Sequence, residues 1–118
     1  MVLEYEAFYF NIQRENNIFY TGLMAQSLEQ FKEILKKVHM DSINYHLRLN
    51  NNDFKQWVEQ ILNDQTLAST YQQIRNSPLQ GEELRQNLIE VTQLRIKELK
   101  KGIHFCLKNV KIKRIGVC

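Results

Sequence analysis

Three residues in the middle of the chain, His46, Asp53 and Trp57, offer the best set of side chains for chemistry. A carboxylate beside an imidazole orients the ring and raises its affinity for a proton, as a general base requires. No nucleophile stands at a recognisable spacing to complete a catalytic set. We favour a structural interpretation, in which Asp53 caps a helix and His46 hydrogen-bonds the asparagine-rich turn at residues 50–52. The sequence therefore predicts no catalytic residue.

Side chains that could bind a metal ion or a phosphate occur only as fragments of known sites. His39 and Asp41 could join His46 as metal ligands. His104 and Cys106 form a second possible pair, but neither spacing is that of a zinc site. The four glycines are scattered, so the chain has no glycine-rich phosphate loop. We predict no metal, no cofactor and no nucleotide hydrolysis.

Basic residues are concentrated near the C-terminus, although the whole chain carries a net charge of only +3. Residues 95–114 hold eight basic residues and one acidic residue, which gives this segment +7 and leaves −4 for the other 98 residues. Such a segment attracts phosphates or an acidic protein surface, and the alternative is a solvated face that only aids solubility. The candidate phosphate or RNA contacts are Lys97, Lys100, Lys101, Lys108, Lys111, Lys113 and Arg114.

Length and composition predict one domain over residues 1–118, with an ordinary balance of apolar and charged residues. No apolar run reaches the roughly 18 residues of a membrane span, and no signal peptide is visible. With two cysteines, Cys106 and Cys118, a disulfide framework is not expected. We therefore predict a cytoplasmic protein without a membrane partner.

The N-terminal part of the chain predicts a β-hairpin. Aromatic residues alternate along the first dozen positions, so that Phe8 and Tyr9 point to opposite faces of a strand. Arg14–Asn17 is a polar turn, where Asn tolerates a left-handed backbone, and Ile18–Leu23 is the return strand, ended by Gly22. Because both faces carry aromatic side chains, both need cover from helices or from another chain.

Helices are predicted for the middle of the chain. Ser27 opens a capping box before apolar residues at helical spacing. Residues 41–47 fit either a short helix or a short strand, and we prefer the helix. Asp53 and Asp64 are expected to cap the next two helices, and Pro78 ends the second of them.

A long helix is predicted to begin at Gly81. We expect it to continue to residue 108 across Gly102, at a cost of roughly 1 kcal/mol, because apolar residues keep the helical spacing beyond that glycine. Gly102 could instead end the helix, since residues 103–107 also fit the alternation of a strand. The helix has a wide apolar stripe, made by Leu84, Leu88 and Val91 with Ile89, Ile96 and Leu99.

These elements predict an α+β fold in which an N-terminal β-hairpin packs on four to five α-helices. Within the single domain, the hairpin and the first helices occupy residues 1–76 and the long helix residues 81–108. Residues 109–118 then form a basic apolar tail.

A family resemblance rests on motifs between Tyr5 and Tyr71. The matching residues are Phe8-Tyr9-Phe10, Thr21-Gly22, Ser27-Leu28, Tyr45-His46, Asn52-Asp53-Phe54, Trp57, Asp64 and Leu67-Ala68. In this pattern the chain resembles a family of small, mostly archaeal domains of unknown function. The resemblance implies no activity, cofactor or substrate, and residues 78–118 lie outside it.

The function that we expect is that of a small, non-enzymatic binding or assembly module. Protein–protein interaction is the first expectation, as a homodimer or with an unidentified protein, through the aromatic hairpin or the long helix. Binding of RNA, or of a ribonucleoprotein particle, by the basic C-terminal segment is the alternative. An aromatic platform for stacking bases is weaker, because Arg14 is the one basic residue of the hairpin.

Overall fold

The computed structural model describes residues 6–101, which form a two-stranded antiparallel hairpin followed by five helices. This architecture confirms the predicted single-domain α+β fold. The elements are β1 (Phe8–Arg14), β2 (Asn17–Ala25), α1 (Leu28–Lys37), α2 (Met40–His46), α3 (Asp53–Gln60), α4 (Gln65–Asn76) and α5 (Gly81–Lys101). The predictions for the course of the chain beyond Lys101 lie outside the described residues.

The hairpin turn differs from its prediction in one respect. The turn lies at Glu15 and Asn16, and the residue in the left-handed region is Glu15, with φ 56°, rather than an asparagine. The short turn places Arg14 opposite Asn17, and the pairing stays regular as far as Asn11 opposite Tyr20.

The prediction that Gly22 ends the second strand is wrong, because β2 continues to Ala25. Thr21 and Gly22 form a bulge, because Phe10 pairs with Leu23 whereas the next residue of β1 pairs with Tyr20. Gly22 adopts φ 88°, which a glycine reaches without strain. The Thr21 hydroxyl donates to the carbonyl oxygen of Phe10 at 2.6 Å and bridges the bulge.

One aromatic core joins the hairpin to the helices. The rings of Phe31 in α1 and Trp57 in α3 stack with centroids 5.2 Å apart, and Phe8 of β1 meets both edge-on. Nε1 of Trp57 donates to the carbonyl oxygen of Glu6 at 2.8 Å, so its one polar atom is satisfied. Trp57 is therefore a core residue, as expected of a large aromatic at an apolar helix position.

Short-range signals set most helix ends. Ser27 caps α1 by accepting the N–H of Gln30, and Asp64 caps α4 by accepting the N–H of Leu67, as predicted. The ambiguous residues 41–47 fall in or beside the helix α2, and α4 ends just before Ser77. The predicted cap of α3 is wrong: Oδ1 of Asn52, not Asp53, accepts the N–H of Lys55 at 3.0 Å.

Most of the apolar stripe of α5 is used within the chain. Leu88 and Val91 are fully buried, Ile96 is buried, and Ile89 packs partly against the core. Leu99, at 55% exposure, faces solvent. Among residues 6–101, no helix is both long enough and apolar enough to cross a membrane.

Candidate functional site

The structure brings His46 and Asp53 together. His46 ends α2 and Asp53 begins α3, and the loop between the helices places Nδ1 of the imidazole 2.9 Å from Oδ2 of the carboxylate. Trp57 lies one turn further along α3 but points into the core, where Phe8 contacts both its ring and that of His46. The predicted trio is thus one hydrogen-bonded pair with a packing residue beside it.

The second ring nitrogen of His46 is also bonded. Nε2 accepts the backbone N–H of Asn11 in β1 at 2.9 Å, so Nδ1 must carry the proton that Asp53 accepts. The residue is only 3% exposed. His46 therefore binds the hairpin and α3, and the expectation that it binds the asparagine-rich turn is wrong.

Ser42 completes the attachment of α2 to the hairpin. Its hydroxyl donates to the carbonyl oxygen of Asn11 at 2.7 Å, so α2 satisfies both backbone groups of that residue. Ser42 and His46 are four residues apart and so lie on one face of α2. Asn11 adjoins the bulge, where the strand ladder is disrupted. The side chains of Ser42 and His46 take the place of the backbone hydrogen-bond partners that a further strand would supply.

Arg48 is the fourth member of the cluster. Its Nη1 donates to Oδ2 of Asp53 and to the carbonyl oxygen of Tyr45, both at 2.9 Å, and its guanidinium lies 4.3 Å from the centre of the Tyr45 ring. Partial burial acts to raise the pKa of Asp53, but the hydrogen bonds from His46 and Arg48 outweigh it and lower the pKa below its ordinary value. Asp53 is thus held as a carboxylate.

This geometry suits a structural lock better than a general base. A base needs a free nitrogen within reach of a substrate proton, whereas both ring nitrogens of His46 are bonded and the ring is buried. The roles of Asn11, Ser42 and Arg48 were not predicted from the sequence. The four-residue spacing of Ser42 and His46 was a usable signal, but nothing local pointed to Asn11.

His39, Asp41 and His46 do not form a group that could hold a metal ion. Nδ1 of His39 accepts the N–H of Asp41 at 3.0 Å, so His39 caps α2 instead. Within residues 6–101, no group of three or more His, Cys, Asp or Glu side chains is placed to hold a metal ion. His104 and Cys106 lie outside the described residues.

The basic segment is described only in part. Lys97, Lys100 and Lys101 are exposed near the end of α5, and Nζ of Lys100 lies 3.5 Å from a carboxylate oxygen of Glu29. Arg95 is engaged elsewhere, because its Nε donates to buried Asp64 at 2.8 Å. The other candidate contacts, Lys108, Lys111, Lys113 and Arg114, lie outside the described residues.

Comparison with known proteins identifies a family but no characterised relative. No curated protein and no solved structure matches the chain. A family of unknown function, DUF5752, matches residues 1–93 and, in a second overlapping range, residues 48–112. The expectation that the family ends before residue 78 is therefore wrong, since the matches continue to residue 112. The chain belongs to the family of unknown function DUF5752.

Proposed function

We propose that this protein is a non-enzymatic interaction module that forms a homodimer through the outer face of its hairpin. The observation that carries the proposal is a group of large apolar side chains exposed on that face, each between 40% and 56% accessible: Tyr9, Ile18, Tyr20 and Met24. A contiguous exposed apolar patch on a small domain marks a surface for a partner.

Strand register places these four side chains on one face. Residues directly opposite each other in an antiparallel pair point to the same side of the sheet. The outward pairs are Tyr9 with Met24, Asn11 with Tyr20, and Gln13 with Ile18. The Tyr9 and Tyr20 rings touch edge-to-face, with centroids 5.5 Å apart, so the patch is continuous across both strands.

The chemistry of this outer face favours a second copy of the chain. All six outward residues are uncharged, so two copies can meet about a two-fold axis without repulsion between like charges. Tyr and Met are enriched at the centres of protein interfaces. Arg14, the one basic residue between Phe8 and Ala25, is bonded to Asp41 at 2.7 Å, which disfavours the stacking of nucleic-acid bases here.

The bonding of His46 supports a non-enzymatic role. The most reactive constellation in the sequence is used to attach α2 to β1 and α3, through bonds at both ring nitrogens. The site therefore stabilises the scaffold that presents the hairpin.

Light scattering of the full chain tests the proposal. The wild-type protein should show twice the 14.1 kDa mass of the chain at about 50 µM, well above the micromolar Kd expected of a modest dimer. Tyr20→Lys should return it to the monomer mass, because a charge would be buried between the copies.

Leu49→Lys is the matched control, since Leu49 is 79% exposed and lies on the loop before α3. This variant should stay dimeric with an unchanged circular dichroism spectrum. A monomeric wild-type protein, or equal disruption by the two lysine substitutions, would rule the hairpin dimer out.

RNA binding is the second candidate, favoured by the exposure of three lysines on the last two turns of α5: Lys97, Lys100 and Lys101. We propose electrostatic contacts to phosphate without base reading. Four to six such contacts by the whole basic segment would give a log–log salt slope of roughly −3 to −5.

Filter retention of RNA tests this candidate. Retention should be independent of RNA sequence and fall with Lys97→Glu combined with Lys101→Glu, but not with the same changes at Lys36 and Lys37 on α1. Absence of retention by the wild type at about 50 mM salt, where such contacts are strongest, would exclude it.

A further inference from the structure

An open cleft of about 460 Å³ lies between the loop before α3, the first turns of α3 and the C-terminal half of α4. Its volume falls within the roughly 300–1,000 Å³ of small-molecule sites. Six of its nine lining residues are Asn or Gln, and two more are the cations Lys55 and Arg75. No carboxylate of the described residues is among them, so the cleft has a positive, strongly hydrogen-bonding wall.

A series of hydrogen-bonded side-chain amides crosses the cleft. One backbone donor determines which atom of each amide donates and which accepts. The N–H of Lys55 can only donate, so the atom of Asn52 that it meets at 3.0 Å must be Oδ1. Nδ2 of Asn52 then donates to Oε1 of Gln72 at 3.2 Å. Nε2 of Gln72 donates in turn to Oδ1 of Asn76, also at 3.2 Å. The series of amides therefore ends on Nδ2 of Asn76, which can donate two hydrogen bonds.

The first amide of this series is held rigidly. Asn52 is only 6% exposed, and its Nδ2 also donates to the carbonyl oxygen of Tyr71 in α4. Its orientation is thereby determined by two helices, α3 through the cap and α4 through this bond. The direction of every hydrogen bond in the series of amides is therefore set by the fold and not by solvent.

The two cations add charged donors to the same wall. Nη2 of Arg75 donates to the carbonyl oxygen of Arg48 at 3.2 Å, a bond that orients the guanidinium while using one of its five N–H groups. Nζ of Lys55 lies 3.3 Å from Glu59, which engages one of its three N–H groups. A planar guanidinium beside amide donors matches the oxygen atoms of a phosphate or a carboxylate.

We propose that this cleft binds a small, hydroxyl-rich molecule that carries an oxyanion, either a phosphate or a carboxylate. The oxyanion is bound by Arg75 and by Nδ2 of Asn76, and the amides of the cleft, which both donate and accept, bind the hydroxyls. This site uses none of the residues of the hairpin face, so it stands or falls independently of the dimer.

Chemical-shift titration of the full-length 15N-labelled protein tests the site with three probes. Glucose 6-phosphate and gluconate carry the two oxyanions on comparable hydroxyl-rich frames, and glucose carries none. At least one charged probe should give saturable shifts of side-chain amide signals, with an affinity at least about tenfold above that of glucose. The comparison of the two charged probes identifies the oxyanion.

Two variants remove the proposed contacts. Arg75→Gln removes the guanidinium, and Asn76→Asp keeps the oxygen that accepts from Gln72 but replaces the donor with a carboxylate. Each should lower the affinity for the charged probe by about tenfold or more. Asn76 is exposed, so its variant keeps the test valid even if Arg75→Gln reduces folding.

Lys37→Gln on α1 is the matched control, because it makes the same change of charge as Arg75→Gln away from the cleft. It should bind as the wild type does. The proposal is overturned if neither charged probe saturates up to about 10 mM, if glucose binds equally well, or if Lys37→Gln weakens binding as much as Arg75→Gln.

Discussion

The backbone N–H of Asn11 donates a 2.9 Å hydrogen bond to Nε2 of His46, 35 residues further along the chain. The opposite nitrogen of the same ring donates to Asp53. One neutral imidazole thus joins β1 to the start of α3 at the point where the strand ladder is interrupted by the bulge.

His46→Phe should destabilise the protein by about 2–4 kcal/mol, because the ring volume is kept while the N–H of Asn11 and the carboxylate of Asp53 each lose a partner. Ser42→Ala removes a single bond to the carbonyl oxygen of Asn11 and should cost about 1 kcal/mol. Urea unfolding measures both. If His46→Phe destabilised the protein less than Ser42→Ala, His46 would not be the main attachment between the hairpin and the helices.

Asp53→Ser and Asp53→Ala should destabilise equally, since the cap of α3 is Asn52 and a serine at position 53 restores no bond to His46. Asn52→Ala should cost about 1–3 kcal/mol, because it removes the cap and the bonds from Nδ2 of Asn52 to α4. Thermal unfolding at neutral pH compares the three. If Asp53→Ser destabilised the protein clearly less than Asp53→Ala, the helix cap would be Asp53 and not Asn52.

Acid should weaken the wild type more than Asp53→Asn. The pKa of Asp53 is lowered by folding, so its contribution is complete above its ordinary value of 3.8 and is lost as the pH falls through the lower folded value. The free energy of unfolding should therefore fall more steeply between about pH 5 and about pH 2 in the wild type. Asp41→Asn, at an exposed ion pair, is the control and should keep the wild-type slope.

Trp57→Ala should cost about 3–5 kcal/mol, as for other large core aromatics. Trp57→Phe should cost less, because it keeps ring contacts with Phe31 and Phe8 and loses the bond to Glu6. Chemical denaturation followed by circular dichroism measures both without relying on tryptophan fluorescence. A cost below about 1 kcal/mol for the alanine variant is incompatible with a core role.

The sequence by itself determined the elements whose causes are local. Ser27 and Asp64 cap their helices through an N–H only three residues away, and Pro78 follows the end of α4 within the same short range. The alternation of aromatics at Phe8 and Phe10 predicted the strand. These interactions form between neighbours in the chain, so they need no knowledge of the rest of the fold.

The proximity of His46 and Asp53 was also predictable, because they are only seven positions apart in the sequence. Which of the adjacent residues Asn52 and Asp53 caps α3 was not, since both are good caps. Tertiary structure decides: His46 and Arg48 engage the carboxylate of Asp53, and α4 accepts from the amide of Asn52. In this arrangement both side chains have hydrogen-bond partners.

Only the tertiary structure decided which large apolar residues stay exposed and where the cleft lies. Ile96 and Tyr20 are both large and apolar, yet packing buries Ile96 and leaves Tyr20 half exposed. The cleft likewise exists because α3 and α4 pack together, which brings Asn52 beside Gln72 across 20 residues of sequence. Hydrophobicity predicts that a side chain prefers burial, but the number of core positions, and which residues occupy them, are set by how the helices and the hairpin meet.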